Sequence, residues 1–276
     1  MMPAPMQQPI SARTRAGKPV SDAAFESVNE DGASDIILIC DHASRAVPAD
    51  LADLGLETDL LWRHIAWDIG AADVARRLAG YLDAPAMLSC FSRLVIDPNR
   101  FLDDPSSIPE VSDGIEVPGN AGLDRAARED RAARFFRPYH EAVSAMRSRV
   151  MARTKLPALV SVHSFTPVMD GFERPWHVGV LWDQDDRIAA PLLRHLRAES
   201  GLVIGDNQPY SARQPFGYST ETHAVAHGLP HVVLEIRQDL IDTRHGAETY
   251  ARLLAEAFRA ILPGAIRNGD DNGARR

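Results

Sequence analysis

Short apolar runs alternate along the chain with longer segments in which apolar residues recur at helical spacing. The runs Asp35–Cys40, Ala86–Cys90 with Arg93–Asp97, Ala158–Val162, His177–Trp182, Leu202–Ile204 and His231–Leu234 predict buried strands. The segments Leu60–Leu82, Asp124–Arg153, Arg187–Glu199 and Ala247–Ile261 predict helices. Such alternation predicts an α/β domain with a largely parallel central sheet and helices on both faces. Residues 1–34 and 263–276 lack periodicity and are rich in polar and small residues. Both are expected to be disordered tails around one domain spanning 35–262.

Composition narrows the class without changing this picture. Of 276 residues, 45% are apolar and 25% charged, which supports one enzyme-sized core. Thirty Lys and Arg against thirty-eight Asp and Glu leave a net charge of −8, and no basic block is long enough to track a phosphate backbone. A nucleic-acid partner is therefore not expected. Cys40 and Cys90 lie in apolar runs and read as small buried hydrophobes, not as a disulfide framework. No membrane-length apolar stretch and no signal-type segment after Arg13, Arg15 and Lys18 is present, so no membrane partner and a cytoplasmic location are expected.

Chemistry concentrates where the strands end. In open α/β sheets, sites form beyond the carboxyl ends of strands. Here those ends read Asp41-His42, His163-Ser164 and Glu235-Ile236-Arg237. Two imidazoles and a carboxylate suit a catalytic zinc site that leaves a position for water, and a further carboxylate nearby suits a general base. Glu235 fits that base. For the third ligand, Asp68 falls on the stripe Leu61, Ile65, Ala72, and His64 lies on an adjacent part of the same face. Either side chain suits the metal, while the plainer alternative pairs Asp68 with Arg63 or Arg93. In the run Arg93-Leu94-Val95-Ile96-Asp97-Pro98-Asn99-Arg100, Asn99 and Arg100 suit a carboxylate clamp and Arg93 a developing oxyanion. The plain alternative is a turn with a surface salt bridge. The long polar connections Leu102–Gly122 and Asp206–Thr222 read as binding loops.

Six segments in order carry a family resemblance: Asp41-His42-Ala43-Ser44, Trp67-Asp68-Ile69-Gly70, Arg93 to Arg100, His163-Ser164, Gly217-Tyr218 with His223, and Glu235-Ile236-Arg237-Gln238-Asp239-Leu240. Together they resemble the N-formylglutamate amidohydrolase (deformylase) family, within the zinc-exopeptidase-like group. The resemblance implies a phosphorylase/hydrolase-like, three-layer α/β sandwich around a mixed eight-stranded sheet. It implies Zn²⁺ without an organic cofactor and hydrolysis of N-formyl-L-glutamate, or a similar small N-acyl amino acid, in histidine catabolism.

It further implies His42 and His163 as zinc ligands, Glu235 as general base and later proton donor, Arg93 as carbonyl polariser, and Asn99 with Arg100 as the α-carboxylate clamp. The wider group has His-x-x-Glu, whereas Arg45 stands three residues after His42, so the second ligand is read as Asp68, with Asp41 in reserve. Tyr218 and His223 fall where the family has Gly-Tyr and His, which implies substrate contact or loop packing. Arg237 either binds a second substrate carboxylate or pins Glu235 by a salt bridge. The remaining histidines, among them His140, His177, His195, His227, His231 and His245, are read as structural. The rival readings are a zinc hydrolase of another N-acyl amino acid or small peptide, and a non-catalytic binding protein on the same fold.

Overall fold

The computed structural model describes residues 23–154, 156–199, 201–213 and 217–265. The strands of its main sheet are β1 (Phe25–Val28), β2 (Ile36–Cys40), β3 (Ala86–Ser89), β4 (Ala158–Phe165), β5 (Val178–Leu181), β6 (Ile204–Asp206) and β7 (His231–Arg237). They form one mixed sheet in the order β1-β3-β2-β4-β7-β5-β6. The pairs β1/β3 and β7/β5 are antiparallel, and the other four are parallel. The sheet thus has seven strands among the described residues, not the eight that the resemblance implies.

Helices cover both faces. On one side α1 (Ala71–Leu82), α4 (Ala189–Glu199) and α6 (Arg244–Ala265) bury residues such as Leu78, Leu192 and Phe258 against Leu38, Val160 and Leu234. On the other, α2 (Arg125–Arg131), a π-helical turn (Ala132–Phe136) and α3 (Arg137–Met151) bury Phe136, Tyr139 and Val143 over Ile37, Ile39 and Leu159. The π turn falls just before Pro138, and Arg137 N–H bonds back to Ala132. A short helix, α5 (Tyr218–His223), lies beside α3.

Several expectations are corrected. The expected tail through Ser34 fails over its described part, because Phe25–Val28 pairs with β3 as an edge strand. The remainder of that tail, and residues 266–276 of the C-terminal one, lie outside the described residues. The run Arg93–Asp97 is apolar because it is buried, yet it is a turn: Ser92 Oγ accepts from Leu94 N–H and donates to Ala66 O, replacing ladder bonds.

The expected helix Leu60–Leu82 is split. Leu60–Trp62 is a single 3₁₀ turn, and α1 begins only after Gly70, at φ +81°. A Cβ on Gly70 would stand 2.3 Å from Ile241 O, so only glycine lets the chain turn there. The stripe that mimics one helix face divides between the two layers: Leu61 and Ile65 pack beside α3, and Ala72 packs on the opposite side. Asp68 lies where the chain crosses between them. Its N–H bonds to His42 O (2.9 Å), just past β2, and Ser164 Oγ in β4 donates to Ile69 O (2.9 Å).

Candidate active site

In the parallel β4/β7 pair, His163 stands directly beside Glu235. Strand alternation sends Val162 and Leu234 into the α1/α4/α6 layer and turns His163 and Glu235 to the other face. Asp68 reaches the same place from the crossing segment. Its Oδ2 lies 2.9 Å from His163 Nδ1, 3.4 Å from His42 Nδ1 and 3.3 Å from Ser164 N–H. His42, Asp68 and His163 form a buried group, able to hold a metal ion, whose ligand atoms all lie within 4.8 Å of one another.

Each imidazole is also fixed from behind. His42 Nε2 faces Asp97 Oδ1 at 2.8 Å, and His163 Nε2 faces Ser161 Oγ at 2.9 Å and Asp41 Oδ2 at 3.6 Å. Such partners hold the Nε2 proton and leave the two Nδ1 lone pairs converging on Asp68, the arrangement outer carboxylates give metal-bound histidines. Electrostatics favours a cation there. Burial raises the Asp68 carboxyl, but the imidazoles outweigh it and hold it below the usual range. Burial likewise opposes charge on His163, yet Asp41 and Asp68 raise it well above an ordinary imidazole. Asp41, Asp68, Asp97 and Glu235 are all buried here, and Arg93 bonds to two of them, Asp68 Oδ1 (3.4 Å) and Asp97 Oδ2 (3.0 Å).

Glu235 faces the cavity unsatisfied: like Asp41 Oδ2, its Oε2 is buried with no hydrogen-bond partner. Burial, with Asp68 adding to it, pushes the carboxyl up to about 7. His42, Asp68, Arg93, Asp97, His163 and Glu235 line one cavity of about 550 Å³. Asn99 and Arg100 line it too, next to Asp97 in the turn. Asn99 Oδ1 accepts Ser219 N–H at 3.2 Å, which leaves its amide hydrogens to donate. A Cβ on Gly217 would stand 2.4 Å from that Oδ1, so glycine is what lets the amide lie against α5. The Arg100 guanidinium donates to Asn99 O, and no carboxylate among the described residues lies within ion-pair distance of it. The cavity therefore sets a group able to hold a metal and an ionisable carboxylate beside Asn99 and Arg100, whose N–H groups can donate to an anion.

The sequence model for N-formylglutamate amidohydrolase matches residues 34–242. The chain belongs to the N-formylglutamate amidohydrolase family. Among solved structures, a gene product from Agrobacterium tumefaciens is 34% identical, with 91% of this chain and 98% of that chain covered and a TM-score of 0.84. N-formylglutamate amidohydrolase from Ralstonia eutropha is similar in fold: 19% identity, 88% of this chain and 98% of that chain covered, TM-score 0.62. No curated protein matches the chain in sequence.

Not every residue singled out in the sequence faces the cavity. His64 lines its wall, with Nε2 3.4 Å from Asp113 Oδ2 and apart from the ligand group. Asp41, the reserve ligand, stands behind His163, and its Oδ1 accepts Tyr139 OH (2.8 Å) and Ser219 Oγ (2.7 Å). Tyr218 packs its ring on Phe101, Phe136 and His140. His223 Nε2 lies 2.9 Å from His140 Nδ1, and His140 Nε2 lies 2.9 Å from Pro98 O. Tyr218 and His223 therefore support the Asp97–Arg100 turn from behind, away from the cavity lining. Arg237 is held by Asp239 (2.9 Å) and the Arg174 carbonyl (3.3 Å), so it neither pins Glu235 nor faces the cavity.

Sequence reasoning missed Asp97, although it lies inside a quoted motif, and Tyr210, which lines the cavity from the long loop. Among the described residues no helix is long and apolar enough to cross a membrane.

Proposed function

We propose that this protein is a metal-dependent amidohydrolase that cleaves the amide of an N-formyl or similarly small N-acyl amino acid, with N-formyl-L-glutamate as the first substrate to test. The observation that carries this reading is the convergence of two Nδ1 atoms and Asp68 Oδ2 beside a buried, unpaired Glu235 oxygen. A zinc ion held by His42, Asp68 and His163 would supply Lewis-acid polarisation of the carbonyl and acidify water.

The chain's own groups do the rest. Asn99 and Arg100 take the substrate α-carboxylate and fix its position. Arg93, aligned by Asp68 and Asp97, donates toward the carbonyl oxygen as charge develops on it. Glu235 takes a proton from the attacking water, whose oxygen bonds to the acyl carbon. It then returns that proton to the nitrogen as the C–N bond breaks, releasing formate and the free amino acid. The reading carries with it a cytoplasmic step in histidine catabolism.

The test is formate release from N-formyl-L-glutamate, with and without a zinc chelator and with metal restored. Chelator-sensitive release is expected. A folded, zinc-loaded protein that releases none removes the substrate, and one that neither binds zinc nor releases formate removes the enzyme.

A further inference from the structure

The loop after β6 is seated on the sheet by two strand glycines. A Cβ on Gly179 would stand 2.0 Å from Gln208 O, and one on Gly205 would stand 2.8 Å from the same atom. Asn207 N–H bonds to Val180 O at 3.0 Å, and its Oδ1 accepts both Trp182 N–H and Ala212 N–H at 3.1 Å. Ala212 packs with Leu181 and Val233, two residues before Glu235 on the same strand face. The segment 207–212 is thus fastened at both ends, and it presents Tyr210 to the cavity that holds Asp68, Arg93 and Glu235.

Behind Tyr210 stands Arg174, only 7% exposed. Its Nη1 donates to Tyr210 OH (3.2 Å), Thr166 Oγ1 (3.2 Å) and Thr166 O (3.3 Å). Among the described residues no carboxylate lies within ion-pair distance of this guanidinium, an expensive arrangement for a buried charge. Its backbone is held in turn by Arg237, which donates to Arg174 O, and by the Arg174 N–H bond to Pro167 O (2.8 Å). A guanidinium can only donate, so the Tyr210 oxygen accepts from Arg174 and its own proton is free to point into the cavity.

We propose that Tyr210 is a catalytic hydrogen-bond donor to the oxygen on which negative charge develops when the amide carbonyl is attacked, and that Arg174 positions and polarises it. The inference rests on the amidohydrolase reading and adds a residue to it. Arg93 already has two nitrogens committed to Asp68 and Asp97, so a second donor aimed at the same oxygen has work to do. Burial, with Glu235 adding to it, raises the phenol, which keeps Tyr210 protonated and therefore a donor.

The experiment uses the zinc-loaded full chain with N-formyl-L-glutamate. Tyr210→Phe, which removes one oxygen from a partly exposed side chain, is expected to lower kcat about 10²–10³-fold with zinc content unchanged. KM should stay within about threefold, because the bond is made to the transition state and not to the bound substrate. Arg174→Met should lower kcat in the wild-type background and add almost nothing in Tyr210→Phe, whereas a purely structural arginine would cost the same in both. Arg174→Lys, which keeps the charge, should recover part of the loss. A Tyr210→Phe enzyme that keeps its kcat, or loses only in KM, overturns the proposal while leaving the amidohydrolase reading intact. Absence of turnover by the zinc-loaded wild type, with N-formyl-L-glutamate and with other small N-acyl amino acids alike, overturns both.

Discussion

Asp97 Oδ1 stands 2.8 Å from Nε2 of His42, across the ring from Asp68 Oδ2 at Nδ1. The same carboxylate receives Arg93 Nη2 at 3.0 Å and Asn99 N–H at 2.8 Å, so one buried side chain ties together His42, Arg93 and Asn99. A carboxylate so placed fixes the tautomer and raises the basicity of the ligand nitrogen. Asp97→Asn is therefore expected to weaken zinc affinity about 10–100-fold while the fold persists. Chelator competition measures this, and an affinity equal to wild type would take Asp97 out of the metal site.

Glu235 gives a second test, with a defined sign in pH. Burial pushes its carboxyl up to about 7, and a divalent cation held by the neighbouring ligands brings it down. A general base works ionised, so kcat/KM should rise with pH and level off at or below about 7. Glu235→Gln should abolish that acid limb and lower the rate by about 10²–10⁴-fold, with zinc still bound. A pH–rate profile that keeps its acid limb in the glutamine variant would show that another group is the base.

Residues legible in the sequence are those whose positions depend on strand periodicity alone. His42, His163 and Glu235 each follow or end an apolar run, and β2, β4 and β7 bring them together as that pattern predicts. Asp68 was legible as a residue but not as a position. Its apolar neighbours repeat at helical spacing, yet they pack on opposite sides of the sheet, which only the tertiary crossing at Gly70 reveals. Asp97 reaches His42 across 55 positions in sequence, and Arg174 reaches Tyr210 across 36. No local pattern encodes such pairs. His140 reads as structural and does bond inward to Pro98, but its pairing with His223 spans 83 positions and leaves no local pattern either.

The proposed clamp depends on the glycine against which Asn99 lies. Gly217 has φ +103°, and a side chain there would collide with the Asn99 amide at 2.4 Å. Gly217→Ala should displace Asn99 from the cavity wall and raise KM for N-formyl-L-glutamate about 10-fold or more, with a smaller change in kcat. Arg100→Ala should raise KM at least as much, since it removes the guanidinium that no carboxylate engages. Initial-rate kinetics on both variants decide the matter. If KM is unchanged in Arg100→Ala, the substrate carboxylate binds elsewhere.

The His140–His223 pair makes the fold sensitive to acid. Burial lowers His140 from 6.5 to about 4 and His223 to about 3, the second also feeling His140 itself. Two neutral rings complete the chain of bonds: His140 Nε2–H donates to Pro98 O, and its Nδ1 accepts from His223 Nε2–H. Unfolded, both histidines take up protons near pH 6.5, before the folded protein does. The unfolded state therefore binds more protons between about pH 6.5 and 4, and stability falls as pH falls through that window, by up to about 1.4 kcal/mol per unit for each ring. Urea midpoints of the zinc-loaded protein between pH 7.5 and 5 should decline accordingly, and the decline should be shallower in His223→Asn. Equal slopes in the two proteins would assign the acid sensitivity to groups other than this pair.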